Sequence, residues 1–437
     1  MTRLDPVMPG SVRPAPTTTS VFDEYESNVR SYSRSFPTTF ARAKGSLLYD
    51  VAGRSYIDFL AGAGALNFGH NNETIKAALI DYVAHDGLAH GLDLQTCAKA
   101  TFLDVLVSHV LRPRGLNYRV QFTAPTGTNA VEAALKVARR ATGRTGIFAF
   151  MGGYHGHSLG SLAVTASRAH RRAAGADLGN VTFVPFPGTA PAVIDTIAYL
   201  RSLLDDSHSG VEVPAGIIVE TVQAEGGVNL APIPWLQELR AVCDDFDIVL
   251  IVDEIQTGVG RTGPFFSFEA AGIVPDLVVV SKSISGFGQP MALTLIRPSL
   301  DIWQPGEHSG TFRGNQLAFV TGAAAISLFE KEAIERLTER NAEHVGVRLA
   351  AEMHSIDSRL QVRGRGMIWG VDTSVIDATG SLSRLISRRS FADGLVIECV
   401  GRNDSVLKLI PPLTIDRDEL DGGLSILAGA TRASLTS

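Results

Sequence analysis

Cysteine is scarce. Cys97, Cys243 and Cys399 are the only three in 437 residues, widely spaced and without a CxxC pair, so neither a disulfide framework nor a zinc site is indicated. Positive charge is not in excess either: 39 Lys and Arg stand against 45 Asp and Glu, a formal net charge of −6. Such a surface has no basic field to attract nucleic acid or anionic lipid, which leaves small molecules as the expected partners. The segment 1–20, rich in Pro and Thr, lacks the apolar run that a signal peptide or a spanning helix requires. We expect it to be a disordered tail on a cytoplasmic protein with no membrane partner. Internal repeats, charge blocks and further low-complexity segments are missing as well. What is present is ordinary globular material, 45% hydrophobic and 19% charged, enough for one large core and a smaller second one.

From about Val120 onward, apolar runs that end in polar residues alternate with helical patterns, the signature of a parallel sheet flanked by helices. The clearest strands are Ala215–Glu220, Ile248–Asp253 and Asp276–Ser281, nearly continuous in β-branched residues as strands buried on both faces are. Helical periodicity marks Ala130 to Ala141, Pro234 to Asp244 and Ile334 to Met353, while Leu360 to Val371 and Gly394 to Leu409 suggest short strands of a mixed C-terminal domain. The expected division is a tail over 1–20, an N-terminal contribution to a small domain over 21–75, a large domain over 76–330 and the rest of the small domain over 331–437. Ligands of such sheets sit beyond the carboxyl ends of the strands. Glu220, Asp253 and Lys282, each just past an apolar run, therefore point toward one site.

A lysine closing Asp276-Leu-Val-Val-Val-Ser-Lys282 either marks a strand that has reached solvent or is paired or reactive. Asp253 favours the second, because a carboxylate in the equivalent place on the next strand can hold a pyridine nitrogen protonated by charge pairing. A lysine Schiff base with an aspartate on the pyridinium nitrogen is what proteins contribute to pyridoxal chemistry. Pro125-Thr-Gly-Thr-Asn-Ala-Val-Glu132 offers a seat for a phosphate: Gly127 permits a tight backbone and Thr128 opens a helix whose free amides face an anion, although simple capping by Thr126 or Thr128 explains the same residues. Met151-Gly-Gly-Tyr-His-Gly156 supplies Tyr154 or His155 to stack on a ring, or merely a turn. Thr311, in Ser309-Gly-Thr-Phe-Arg313, adds a candidate hydroxyl for the phosphate. Gly62-Ala-Gly64 is no dinucleotide fingerprint, since the third glycine and the strand-to-helix context are missing.

These residues resemble the class III (ω-amino acid) aminotransferases, from about Phe22 to Leu427 and most specifically from Ile251-Val-Asp-Glu-Ile-Gln-Thr-Gly-Val-Gly-Arg-Thr-Gly263 to Ser281-Lys-Ser283. The resemblance implies a fold-type I, pyridoxal 5'-phosphate-dependent α/β transferase with a mostly parallel seven-stranded sheet and a smaller α+β domain. It also implies that Asp253 binds the pyridine nitrogen, that Gln256 contacts the ring hydroxyl and that Lys282 carries the cofactor. Gly127 and Thr128 are similar to the family's phosphate turn, Tyr154 to its stacking aromatic, and Thr311 to a threonine that reaches the neighbouring subunit's phosphate, which implies a homodimer or a dimer of dimers. Glu225 in Gln223-Ala-Glu-Gly-Gly227 matches the gating glutamate, with Ala224 where glycine is commoner.

Within that family, Glu26-Ser-Asn-Val-Arg-Ser-Tyr-Ser-Arg-Ser-Phe-Pro37, Ala61-Gly-Ala-Gly-Ala-Leu-Asn-Phe-Gly-His-Asn-Asn72 and Lys282-Ser-Ile-Ser-Gly-Phe-Gly-Gln-Pro-Met-Ala292 resemble the diaminobutyrate-forming members. Ping-pong transfer from glutamate to L-aspartate 4-semialdehyde is the implied reaction. Transfer at a terminal amine requires the substrate's α-carboxylate to be anchored away from the cofactor, for which Arg30 and Arg34, with Tyr32 between them, are candidates beside the alternative of solvated surface arginines. Lys408 in Lys408-Leu-Ile-Pro-Pro412 stands where some members carry arginine, and binds a carboxylate only as a point charge. His308 and Arg313 are alternatives for that carboxylate. The rival expectations are another ω-amine as substrate (ornithine, acetylornithine or 4-aminobutyrate), aminomutase or decarboxylase chemistry on the same fold, and a catalytically silent scaffold.

Overall fold

The computed structural model describes residues 20–189 and 194–436, so the expected tail, apart from Ser20, lies outside the described residues. At the centre is a seven-stranded sheet in the order Arg119–Phe122, Leu293–Ile296, Leu277–Val280, Val249–Asp253, Gly216–Val219, Ile147–Phe150 and Val181–Val184. Leu293–Ile296 runs antiparallel to both its neighbours, and the other pairings are parallel. Every residue of Val249–Asp253 and Leu277–Val280 is buried. Alternation explains how: Leu250, Val252, Val278 and Val280 enter one apolar cluster while Val249, Ile251, Leu277 and Val279 enter another. Successive side chains of a strand face opposite ways, so continuous apolar runs supply two cores at once.

The helix Gly127–Thr142 covers the second face with Ala130, Val131, Ala134, Leu135, Val137 and Ala138. Its small residues allow close approach. A Cβ on Gly216 would lie 3.3 Å from the Ala138 methyl and 3.0 Å from the Val249 carbonyl oxygen. The helix ends at Gly143, whose φ of 69° lets its N–H return to the Arg139 carbonyl. The expected helices over Pro234 to Asp244 and Ile334 to Met353 are Ile233–Asp245 and Ile334–Ile356.

Two four-stranded sheets flank this centre. One joins Phe40–Lys44, Leu47–Asp50 and Ser55–Asp58 to the distant Leu395–Val396, and the other orders Gln361–Arg365, Ile368–Asp372, Val406–Leu409 and Glu398–Val400. Arg261 ties the parts together. Fully buried, it donates to the carbonyls of Met367 and Pro411 and to Asn67 Oδ1 at 2.6 Å. Burial holds its guanidinium down to about 9, yet three acceptors from three segments keep it in place. Among the described residues, no helix is long and apolar enough to cross a membrane.

Candidate active site

Three neighbouring parallel strands deliver Glu220, Asp253 and Lys282 to the same edge of the large sheet. Asp253 Oδ1 accepts from the Ile255 amide at 3.0 Å, and Oδ2 lies 2.7 Å from His155 Nδ1. Both side chains are buried. Burial opposes protonation of His155, but its hydrogen bond to Asp253 and the charges of Asp253 and Glu220 more than offset it, and its affinity for a proton is raised. The ring N–H at Nδ1 donates to the carboxylate, which can only accept. Glu220 accepts from the amides of Tyr154 at 2.9 Å and Ala224 at 3.2 Å, which fixes the loop that carries His155. Burial and the charge of Asp253 push Glu220 up to about 7 against the pull of His155.

Lys282 begins just after the strand, with φ at 53°. That left-handed conformation costs a non-glycine residue about 1–2 kcal/mol, a strain of the kind that gathers at functional sites. Desolvation lowers the proton affinity of its amine and Lys408 pushes the same way, while Glu225, Glu398 and Asp253 oppose them. A lysine so placed has a larger neutral, nucleophilic fraction than one in water.

A second charged cluster adjoins the first. Lys408, wholly buried on the strand Val406–Leu409, donates to Gln256 Oε1 at 2.9 Å and to Glu225 Oε1, and stands 3.0 Å from Glu398 Oε1. Gln256 Nε2 donates to the Ala63 carbonyl at 3.0 Å and to Glu225 at 3.2 Å. Burial opposes the charge on Lys408, but the two carboxylates outweigh it and raise its proton affinity. Glu225 is held below the usual carboxylate range, against its burial, by Lys408 and Lys282. Glu398 is raised, by burial first and by the repulsion of Glu225 as well. Tyr32 reaches this cluster through its hydroxyl, 3.3 Å from Glu398 Oε2.

At the start of the helix Gly127–Thr142, Thr126 turns its hydroxyl to Asn129 Oδ1 at 2.7 Å and caps none of the first-turn amides with its side chain. Those amides stay available to an anion. A Cβ on Gly127 would meet Ile255 Cδ1 at 2.8 Å, so the turn lies directly on the segment that follows Asp253. The Thr128 hydroxyl bonds Ser161 and, at 2.7 Å, Ser158, and Ser158 donates to Glu132 Oε1 at 2.6 Å. Gly156 passes so close that a Cβ there would lie 2.4 Å from Thr128 Oγ1.

Most other residues singled out from sequence have partners of their own. Arg30 pairs with Asp23, and Arg34 donates to Asn28 at 3.2 Å. Thr311 is exposed, lining with Leu92, Asp93, Ser309, Gly310 and Arg313 an open concavity of about 400 Å³. His308 lies 3.3 Å from Lys136 Nζ. The Tyr154 ring packs edge-on against His157 at 5.6 Å and His170 at 5.9 Å, whereas His155 spends its Nδ1 on Asp253. Sequence reasoning missed Glu398. The signal was there, a single carboxylate inside the apolar run Val396-Ile-Glu-Cys-Val400, of the same kind that drew attention to Lys282.

Residues 29–431 match the family described as aminotransferase class-III. The chain belongs to that family. Among curated relatives it is 49% identical over 420 residues to a diaminobutyrate–2-oxoglutarate transaminase of Halalkalibacterium halodurans, covering 95% of this chain and 97% of that protein. With the protein of the same description from Streptomyces coelicolor it shares 50% over 417 residues, 94% and 97% of the two chains. Solved structures share the architecture: a Bacillus anthracis aminotransferase superposes with a TM-score of 0.84 at 20% identity over 93% of this chain and 96% of that one. The ornithine aminotransferase of Toxoplasma gondii gives 0.82 at 23% identity over 95% and 94%. At such identities the likeness speaks for the fold alone. This class-III chain therefore carries on its family's scaffold a cluster in which one buried lysine, Lys408, serves two carboxylates.

Proposed function

We propose that this chain is a pyridoxal 5'-phosphate-dependent aminotransferase that interconverts L-aspartate 4-semialdehyde and L-glutamate with L-2,4-diaminobutyrate and 2-oxoglutarate. The observation that carries the chemistry is Lys282, deprived of water and strained at its φ of 53°, one strand away from the Asp253–His155 pair. The substrate assignment is supported by two relatives of that description, each about half identical over more than nine-tenths of both chains.

The donor set fits the cofactor. Asp253, paired with the His155 ring, would hold the pyridine nitrogen protonated; the uncapped amides at Gly127 and Thr128 would take the phosphate; Gln256 would contact a ring hydroxyl and Tyr154 a ring face. Thr311 would serve the phosphate of a neighbouring copy. Bound there, pyridoxal phosphate supplies a carbonyl that captures amines and a ring that accepts the electrons of a deprotonated carbon. Lys282 would act as base and acid within each half-reaction, taking the proton from the amine-bearing carbon of the substrate and delivering it to the carbonyl-derived carbon of the cofactor, and moving it the other way in the second half-reaction. Glu225 has the second task. Bound to Lys408, it neutralises the cation when a terminal amine reacts; moved aside, it frees Lys408 for the α-carboxylate of glutamate. Both substrates use the same cavity in turn, so the rates follow a ping-pong pattern.

The division into a large domain over 76–330 and a small one from 21–75 and 331–437 belongs to this proposal, as does a homodimer or dimer of dimers. Exposed Leu92, Leu94 and Phe312 beside the Thr311 concavity support such an interface. Unpaired Cys97, Cys243 and Cys399 support a reducing, cytoplasmic setting. The test is a half-reaction screen in which the coloured holoenzyme meets one amine at a time. Diaminobutyrate and glutamate should bleach it, with ornithine and 4-aminobutyrate far slower. If diaminobutyrate fails where another ω-amine succeeds, the substrate assignment is wrong.

A further inference from the structure

The geometry points to Glu398 as the residue that recognises the distal ammonium of the diamino substrate, with the Tyr32 hydroxyl beside it. This role rests on the proposed function. Glu398 starts the strand Glu398–Val400 and faces Lys408 across the antiparallel register. It is buried, with 8% of its surface exposed, and yet poorly satisfied. Oε1 lies 3.0 Å from Lys408 Nζ but has no hydrogen bond of acceptable geometry, and Oε2 has only the long 3.3 Å contact from Tyr32. A carboxylate has room for about four hydrogen bonds, and leaving a buried one short of partners is costly. Lys408 makes up only part of the shortfall, because its ammonium is shared among Glu225, Gln256 and Glu398.

The charges lead to the same place. Glu225 and Glu398 are two carboxylates around one ammonium, and Lys282, the other nearby cation, is disfavoured by desolvation. One ammonium is shared between two carboxylates, so a further cation has a place beside Glu398. A ligand ammonium would supply it. Diaminobutyrate and aspartate semialdehyde each carry an α-ammonium besides the carbon that reacts, only three carbons from the reacting end or fewer. Glutamate reacts through its α-amine and has no second one. Glu398 is close enough to Lys282 for its charge to stabilise that ammonium, so it lies within the field of the reacting end. A group there distinguishes the diamino pair from glutamate and from monoamines of equal length.

The test compares Glu398→Gln with the wild-type holoenzyme in half-reactions with diaminobutyrate, 4-aminobutyrate and glutamate. 4-Aminobutyrate has the same chain and carboxylate without the α-ammonium. Loss of one charge-assisted hydrogen bond should lower the ratio of kcat/KM for diaminobutyrate over 4-aminobutyrate by about tenfold or more, chiefly through KM. Glu398→Asp should recover part of the ratio. The same comparison as dissociation constants, read by calorimetry in a Lys282→Ala background, should show the same tenfold change without turnover. A glutamate half-reaction that remains measurable in Glu398→Gln shows that the variant is folded. A ratio that falls by less than threefold in both measurements overturns the role of Glu398. Wild-type enzyme that ignores diaminobutyrate overturns instead the proposed function and this role with it.

Discussion

Replacing Lys408 by Met tests whether the buried charge cluster is assembled as described. Methionine has nearly the length of lysine and fills the same fully enclosed space, so little packing is lost and the perturbation is electrostatic. Two carboxylates, Glu225 and Glu398, then face each other without a cation, and Gln256 Oε1 loses its donor. Breaking a buried ion pair by removing one partner costs about 3–5 kcal/mol, which corresponds to a fall in Tm of roughly 6–20 °C for a large domain. The loss has a defined pH dependence. Glu225 now sits below its ordinary range because of Lys408 and Lys282, and Glu398 above; without Lys408 both rise. The folded variant then keeps protons that the unfolded chain has released, so stability is present below the ordinary carboxylate value of about 4.3 and is lost as pH climbs through the raised values. Thermal or urea melts at pH 5 and pH 8 should show a small deficit at the lower pH and the full one at the higher. The double variant Lys408→Met, Glu398→Gln should regain part of it. A single variant within about 1 kcal/mol of wild type at both pH values, or one more damaged at pH 5, would refute the reasoning.

Three further outcomes are expected. Lys282→Ala should lose turnover by several orders of magnitude together with the visible colour of the holoenzyme, while its melting temperature changes little, because removing a buried amine that desolvation disfavours offsets the lost packing. Gly156→Ala, whose new methyl would lie 2.4 Å from Thr128 Oγ1 and 2.7 Å from Ser161 Oγ at a φ of 131°, should weaken cofactor retention on dialysis and lower stability by about 1–3 kcal/mol. Glu220, pushed up to about 7, holds a proton in the folded state that the unfolded chain gives up above 4.5. Its contribution is therefore complete below 4.5 and fades as pH rises through 7, so the stability of wild type relative to Glu220→Gln should fall between pH 5 and pH 8; a flat difference would count against the assignment.

The strand ends were legible because a buried parallel strand has no alternation to hide its polar terminus: Ile248–Asp253 was expected and Val249–Asp253 is observed. Helices were legible by their period to within a few residues. Partnerships between distant positions were not. Nothing local says that His155 meets Asp253 across 98 positions, because the contact depends on sheet order. Arg30 shows the opposite case, a cation placed in a motif and satisfied seven residues back by Asp23. Glu398 escaped notice because its strand is three residues long and its burial is created by Lys408 and Tyr32, neither of which periodicity can bring near.

The two charged clusters meet at Lys282. Asp253 biases its proton affinity from the first cluster, and Glu225, Lys408 and Glu398 from the second, where Gln256, three residues after Asp253, bonds both Glu225 and Lys408. The signs matter. Glu398 raises the proton affinity of Lys282, as does Glu225, whereas Lys408 lowers it. On the role proposed for Glu398, a substrate ammonium there would cancel one of the raising charges, and binding a diamino acid would make the Lys282 amine more readily neutral, the form needed to take a proton from carbon.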